Sequence, residues 1–121
     1  KWAENIFKVK INCGTGIVYI PQNEQVFSEI RIKISNLSIF ELTAFYDMVS
    51  ITGSLILGLA IINGRLSAEK AYQLSRVDEL WQLEQWGDDE EAQAASNLKN
   101  AAILHSEEFF ALSGQNKSTI F

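Results

Sequence analysis

The sequence predicts a mainly α fold, an orthogonal helical domain with a small β hairpin near its N-terminus. Three observations predict it. Helix-start signals recur: Ser38 stands three residues before Glu41, and Ser67 shortly before Glu69, each ahead of a long apolar-periodic stretch. Helix-stop signals follow at Asn63-Gly64, Gly87 and Gly114. Alternation with a period of two is confined to the beginning of the chain, where Phe7, Val9, Ile11 and Cys13 interleave with Lys8, Lys10 and Asn12.

The elements follow in order. Lys1–Phe7 reads as the tail of a helix. The alternating run then forms a strand, Gly14-Thr15-Gly16 supplies the turn, and Ile17–Ile20 returns as a second strand that Pro21 ends. Asn23–Ser35 alternates at Ile30, Ile32 and Ile34, yet Val26, Phe27, Ile30, Ile34 and Leu37 recur at helical spacing. The polar first turn Asn23-Glu24-Gln25 decides for a helix. From Ser38 a capping box opens a helix expected to run unbroken through Ile62, with Ile51–Ile62 at the centre of the core. Gly53 and Gly58 then lie inside a helix, and the small pair Ser54 and Gly58 reads as a close approach to a neighbouring helix. A second long helix is expected from Ser67 to Trp86, and a third from the acidic start Asp88–Glu91 to Leu112.

Composition bounds the function. A chain of 121 residues with 47% hydrophobic side chains supports one domain, expected over residues 1–114, with 115–121 as a tail. The net charge is −5 and no lysine or arginine cluster exists, so a nucleic-acid partner is not expected. The apolar run Leu55–Ile62 falls short of the roughly 20 residues that a membrane span needs, so insertion is not expected either. The single cysteine, Cys13, has no partner for an internal disulfide and favours a reducing compartment.

Catalytic chemistry finds little support. His105 and Cys13 are each the sole residue of their type and lie far apart in sequence. Metal-ligand spacing is absent, so no metal, cofactor or small-molecule substrate is expected. Asp88–Glu91, Glu107 and Glu108 read as solvated charges. Asp78 is the exception, because it falls on the stripe formed by Ala71, Leu74, Val77 and Trp81. A carboxylate there is either paired internally, with Arg65 or Arg76, or lies in a groove where it meets a partner's basic or hydroxyl group. Trp81 reads as core. Trp86, beside Gly87, reads equally as core or as a binding anchor. Glu79 and Glu84 point to solvent. The rival to a binding role is a carboxylate enzyme using Asp78 and Glu84, which the helical period sets roughly 120° apart.

Four words in the chain carry a resemblance to a known family. They are Phe40-Glu41-Leu42, Thr52-Gly53-Ser54-Leu55, Gly64-Arg65-Leu66-Ser67-Ala68-Glu69, and Ser75-Arg76-Val77-Asp78-Glu79 with Trp86-Gly87-Asp88. The chain, from Val9 to about Leu112, resembles the chaperone that assembles the ATP synthase catalytic head by handling its alpha subunit. The resemblance implies a C-terminal, mainly helical domain whose N-terminal β-rich companion is absent here. It implies a non-enzymatic protein that binds the unassembled alpha subunit, prevents its aggregation and yields it to the beta subunit. The resemblance implies a functional acidic residue in the Ser67–Trp86 helix, at Asp78 or Glu79, and the place of Asp78 on the apolar stripe puts it first; Trp86, Glu84 and Asp88 complete the set of candidate partner-binding residues. Asp88-Asp89-Glu90-Glu91 is closer to the alphaproteobacterial branch than to mitochondrial members, which implies a bacterial cytoplasm, with the mitochondrial matrix as the alternative. A generic interaction domain with another partner is the second reading.

Overall fold

The structure, a computed structural model, describes residues 1–14, 19–87 and 89–114, with Asp78 described as part of its helix but not in its side chain. Among these residues there are seven helices and no strand. They fall into two compact units, Lys1–Leu37 and a second from Ser38 onward.

In the first unit α1 (Trp2–Phe7) packs on α2 (Glu24–Ser35), and Ala3, Phe7, Val26 and Ile30 are buried. The ambiguous stretch is therefore helical, and Asn23 caps it by accepting from the Gln25 amide. The expected β hairpin is not seen among the described residues. Its turn and part of its return strand, residues 15–18, lie outside the described residues, and the flanking segments form no ladder. Side chains do that work instead. Gln22 Oε1 accepts from the Asn12 amide at 2.9 Å, Gln22 Nε2 donates to the Asn12 carbonyl at 2.8 Å, and Asn12 Nδ2 donates to the Pro21 carbonyl at 3.0 Å. Pro21 has no N–H to give a ladder, and the amide side chain next to it completes the two-way bond that a strand backbone would have made. The run from Val9 is also held from α1, where the Glu4 carboxylate accepts from the Ile11 amide at 2.9 Å. That bond holds the Glu4 pKa below its ordinary value.

In the second unit α3 (Ile39–Thr52) and α7 (Glu90–Ser113) form the principal packing pair, with α4 (Leu55–Ile62) and α5 (Ala68–Ser75) against them. Met48, Leu59 and Ile103 are fully buried at its heart. The expected central segment is buried over Gly58–Ile62, within a core that the α3–α7 pair shares. The capping box is complete: Ser38 Oγ accepts from the Glu41 amide at 3.2 Å and Glu41 Oε1 from the Ser38 amide at 2.9 Å. Glu41 is wholly buried, and a β-carbon on Gly114, the C-cap of α7, would stand 3.0 Å from Glu41 Oε2. The box therefore joins the start of α3 to the end of α7. Ser38→Ala is expected to lower the unfolding free energy by about 1 kcal/mol, measured by urea denaturation.

The expected unbroken helix from Ser38 to Ile62 is two helices. Gly53 adopts φ 67°, left-handed, and caps α3 through its amide to the Val49 carbonyl. Ser54 then opens α4 by accepting from the Leu57 amide at 3.2 Å. The break folds α4 back on α3 so closely that a β-carbon on Gly58 would lie 2.8 Å from Val49 Cγ2 and 3.1 Å from Phe45 Cε2. The small face of α4 is thus spent on tight packing inside the domain. Gly53→Ala meets no steric neighbour but keeps the left-handed φ, so an expected destabilisation of about 1–2 kcal/mol would be read by the same denaturation.

Candidate partner-binding face

The second long helix is also broken. Ser67 caps α5 by accepting from the Lys70 amide, and α5 ends at Arg76 (φ −104°, ψ 14°), after which α6 (Val77–Trp86) begins. Two contacts with α7 fix α5. Glu107 Oε2 accepts from the Ala68 amide at 2.7 Å, so a carboxylate read as solvated caps a helix 39 residues away. The buried Tyr72 hydroxyl donates to the Ser96 carbonyl at 3.1 Å. Neither contact carries a local sequence signal, because each joins residues distant along the chain.

Arg76 marks the joint. Its guanidinium lies 5.5 Å from the Tyr72 ring centroid, and its Nε donates to Glu79 Oε2 at 3.0 Å. Beyond it, α6 packs on α5 and buries none of its described side chains; only Leu83 is even half-buried. This overturns the reading of Trp81 as core. The stripe Ala71–Leu74–Val77–Trp81 is buried only at Ala71: Leu74 and Val77 are exposed, and Trp81 is 54% exposed. The helix is interrupted at Arg76, so a stripe read across one continuous helix does not carry over from α5 to α6.

Trp86 is 74% exposed, and its ring meets that of Trp81 edge to face, with centroids 5.6 Å apart at 90°. Val77 and Leu80 extend this apolar surface one turn toward Arg76. On the other side of α6, Arg76, Glu79, Leu83 and Trp86 face Asp89, Ala92 and Gln93 of the α7 start across a groove of about 300 Å³. Asp89 is itself the N-cap of α7, accepting from the Glu91 amide at 3.0 Å.

Of the residues singled out from sequence, Glu79 and Trp86 therefore share one groove. Glu84 is exposed on α6 and is not among the groove's lining residues. Asp78 lies in α6 with its side chain outside the described residues, as does Asp88 altogether. Asp89, which sequence reasoning did not assign to the site, lines the groove, and Trp81 adjoins it through its contact with the Trp86 ring.

A second cleft, of about 480 Å³, lies between α3 and α7 and is lined in part by Thr43, Asp47, His105, Ser106 and Phe109. The Ser106 hydroxyl donates to the Ala102 carbonyl of its own helix at 3.1 Å, and among the described residues no hydrogen bond joins His105 to Asp47. That arrangement is not a nucleophile held by a base. Among the described residues no group of three metal-ligating side chains converges, and no helix is long and apolar enough to cross a membrane.

No family model matches the chain. Relatives do. It is 34% identical over 87 residues to the mitochondrial protein atp12 of Schizosaccharomyces pombe, a match that takes in 70% of this chain and 30% of the relative. The crystal structure of Atp12 from Paracoccus denitrificans superposes with a TM-score of 0.87 at 42% identity, over 93% of this chain and 48% of that one. A variant of the same bacterial protein, with lysine in place of an aspartate, superposes with a TM-score of 0.88 at 41% identity. The chain thus spans from about a third to half the length of the relatives it matches. Likeness in sequence and in fold, sustained over nearly the whole of the described helices, makes this chain a member of the Atp12 family.

Proposed function

We propose that the protein is a non-enzymatic assembly chaperone of the ATP synthase catalytic head, that it binds the unassembled alpha subunit until the beta subunit displaces it, and that this chain is its C-terminal helical region. Membership in the Atp12 family supports the reading, as does the resemblance carried by Ser75–Glu79 and Trp86-Gly87-Asp88. The observation that carries it is the state of α6: Val77, Leu80, Trp81 and Trp86 stand open to solvent on one short helix. Clustered exposed apolar side chains of that size mark protein-binding surfaces, and tryptophan is the side chain most enriched among binding hot spots. An orphaned subunit offers the complementary apolar surface, normally covered by its neighbour in the assembled head. Competition by the beta subunit then releases it by mass action.

Asp78, Glu79, Glu84 and Asp88 supply the acidic residues of the docking face. Sequence reasoning puts Asp78 first among them. The acidic stretch after Gly87 favours a bacterial cytoplasm, with the mitochondrial matrix as the alternative.

The test is capture of the alpha subunit by the protein at its full natural length, wild type against Asp78→Lys. The wild type is expected to retain the subunit and the variant to lose it, with circular dichroism and thermal unfolding unchanged. Retention by both would remove Asp78 from the face, and failure of the wild type to retain the alpha subunit would refute the chaperone reading itself.

A further inference from the structure

We propose that the groove between α6 and the start of α7 receives an arginine side chain from a basic segment of the captured subunit, an inference that rests on the chaperone reading above. Charge is the first argument. Residues 77–98 hold seven of the chain's fifteen acidic side chains and none of its ten basic ones, so the remainder of the chain carries two more bases than acids. The acidic residues are therefore concentrated in one stretch of the sequence, and that stretch supplies the groove's two carboxylates, Glu79 and Asp89. Such a site draws in cations and repels anions.

Shape and chemistry narrow the cation. The groove has a carboxylate on each bank, Glu79 from α6 and Asp89 from α7, and an apolar floor and wall made by Leu83, Ala92 and the exposed indole of Trp86. A compact, strongly hydrated ammonium gains little from such a wall. A guanidinium is planar, weakly hydrated and stacks on indole while its edge pairs with a carboxylate.

The molecule already treats one guanidinium in this way at the end of the same groove. Arg76 lies over the Tyr72 ring at 5.5 Å and bonds Glu79 at 3.0 Å. An incoming arginine repeats that arrangement one step along, with Trp86 as the ring and Asp89 as the principal carboxylate. Because Asp89 and Trp86 are exposed, the contact is sensitive to salt, and its first effect is on the rate of encounter.

The experiment compares the full-length protein with its Glu79→Gln/Asp89→Asn double variant for binding to the alpha subunit at 50 mM and 500 mM sodium chloride. Asparagine caps a helix as well as aspartate does, so the variant keeps α7 intact. The wild type is expected to bind at least tenfold more weakly at high salt, and the double variant to bind weakly at both with a flattened salt response. In parallel, the 121-residue chain is titrated with a capped Leu-Arg-Leu peptide and its citrulline counterpart, following tryptophan emission. Quenching by the arginine peptide alone, lost in Trp86→Leu, is the expected result.

Salt-independent capture that survives the double variant would overturn the arginine site while leaving the chaperone reading in place, as would equal responses to the two peptides. No capture of the alpha subunit by the wild type at either salt would remove both.

Discussion

Replacing Trp81 and Trp86 together by alanine is expected to weaken binding of the alpha subunit by the full-length protein roughly 30-fold or more, the loss of about 2 kcal/mol that defines a hot spot. The two indoles touch edge to face and are 54% and 74% exposed. Their mutual contact is worth about 0.5–1.5 kcal/mol, and neither belongs to the buried core, so the folded state loses little when both go. Binding and stability should therefore separate. Surface plasmon resonance would register the lost affinity, while the denaturation midpoint of the variant stays close to that of the wild type. A large fall in stability with affinity preserved would instead mean that these rings support the fold of α6. Single replacements should each give a smaller effect, because the rings support one another's orientation and their contributions do not add.

The opposite pattern is expected in the core. Ile103→Ala removes a fully buried side chain from α7, and such truncations cost about 2–5 kcal/mol, through lost burial and the cavity left behind. Domains of this size are stable by about 5–15 kcal/mol, so the variant should unfold at a temperature lower by about 10 °C or more. Leu98→Ala serves as a control within the same helix, since Leu98 is 73% exposed. It should change stability by no more than about 0.5 kcal/mol. Urea denaturation of the two variants side by side checks the contrast, and equal losses would contradict the assignment of Ile103 to the core.

The local signals in the chain read true. Ser38 with Glu41, and Ser67, cap the helices they were expected to cap, Asn23 caps the helix whose first turn it was expected to join, and Gly87 and Gly114 end theirs. A cap is made between residues two or three apart, so its evidence is complete within a few letters. The two broken helices were not legible for a related reason. Apolar periodicity runs on past Gly53 and past Arg76 without interruption, and a glycine inside a pattern is compatible with either a helix interior or a left-handed stop. Where the hairpin was expected, the described residues hold a side-chain clasp: Gln22 bonds both the amide and the carbonyl of Asn12, and alternation cannot tell a ladder from such a clasp.

The candidate site divides along the same line. Composition and pattern singled out the candidate helix, its two tryptophans and its acids, because these are properties of residue type and spacing. Whether the apolar stripe of that helix is covered was decided by the tertiary structure, in which a break at Arg76 separates it from α5 and Val77, Leu80 and Trp81 stand exposed. The partnership of Glu79 with Asp89 was decided by the placement of α7, whose distant carboxylate Glu107 caps α5 and whose Ser96 receives the Tyr72 hydroxyl. A sequence states which face of a helix is oily. Only the positions of the other helices state whether water or protein lies against it, because burial is a relation among segments far apart along the chain.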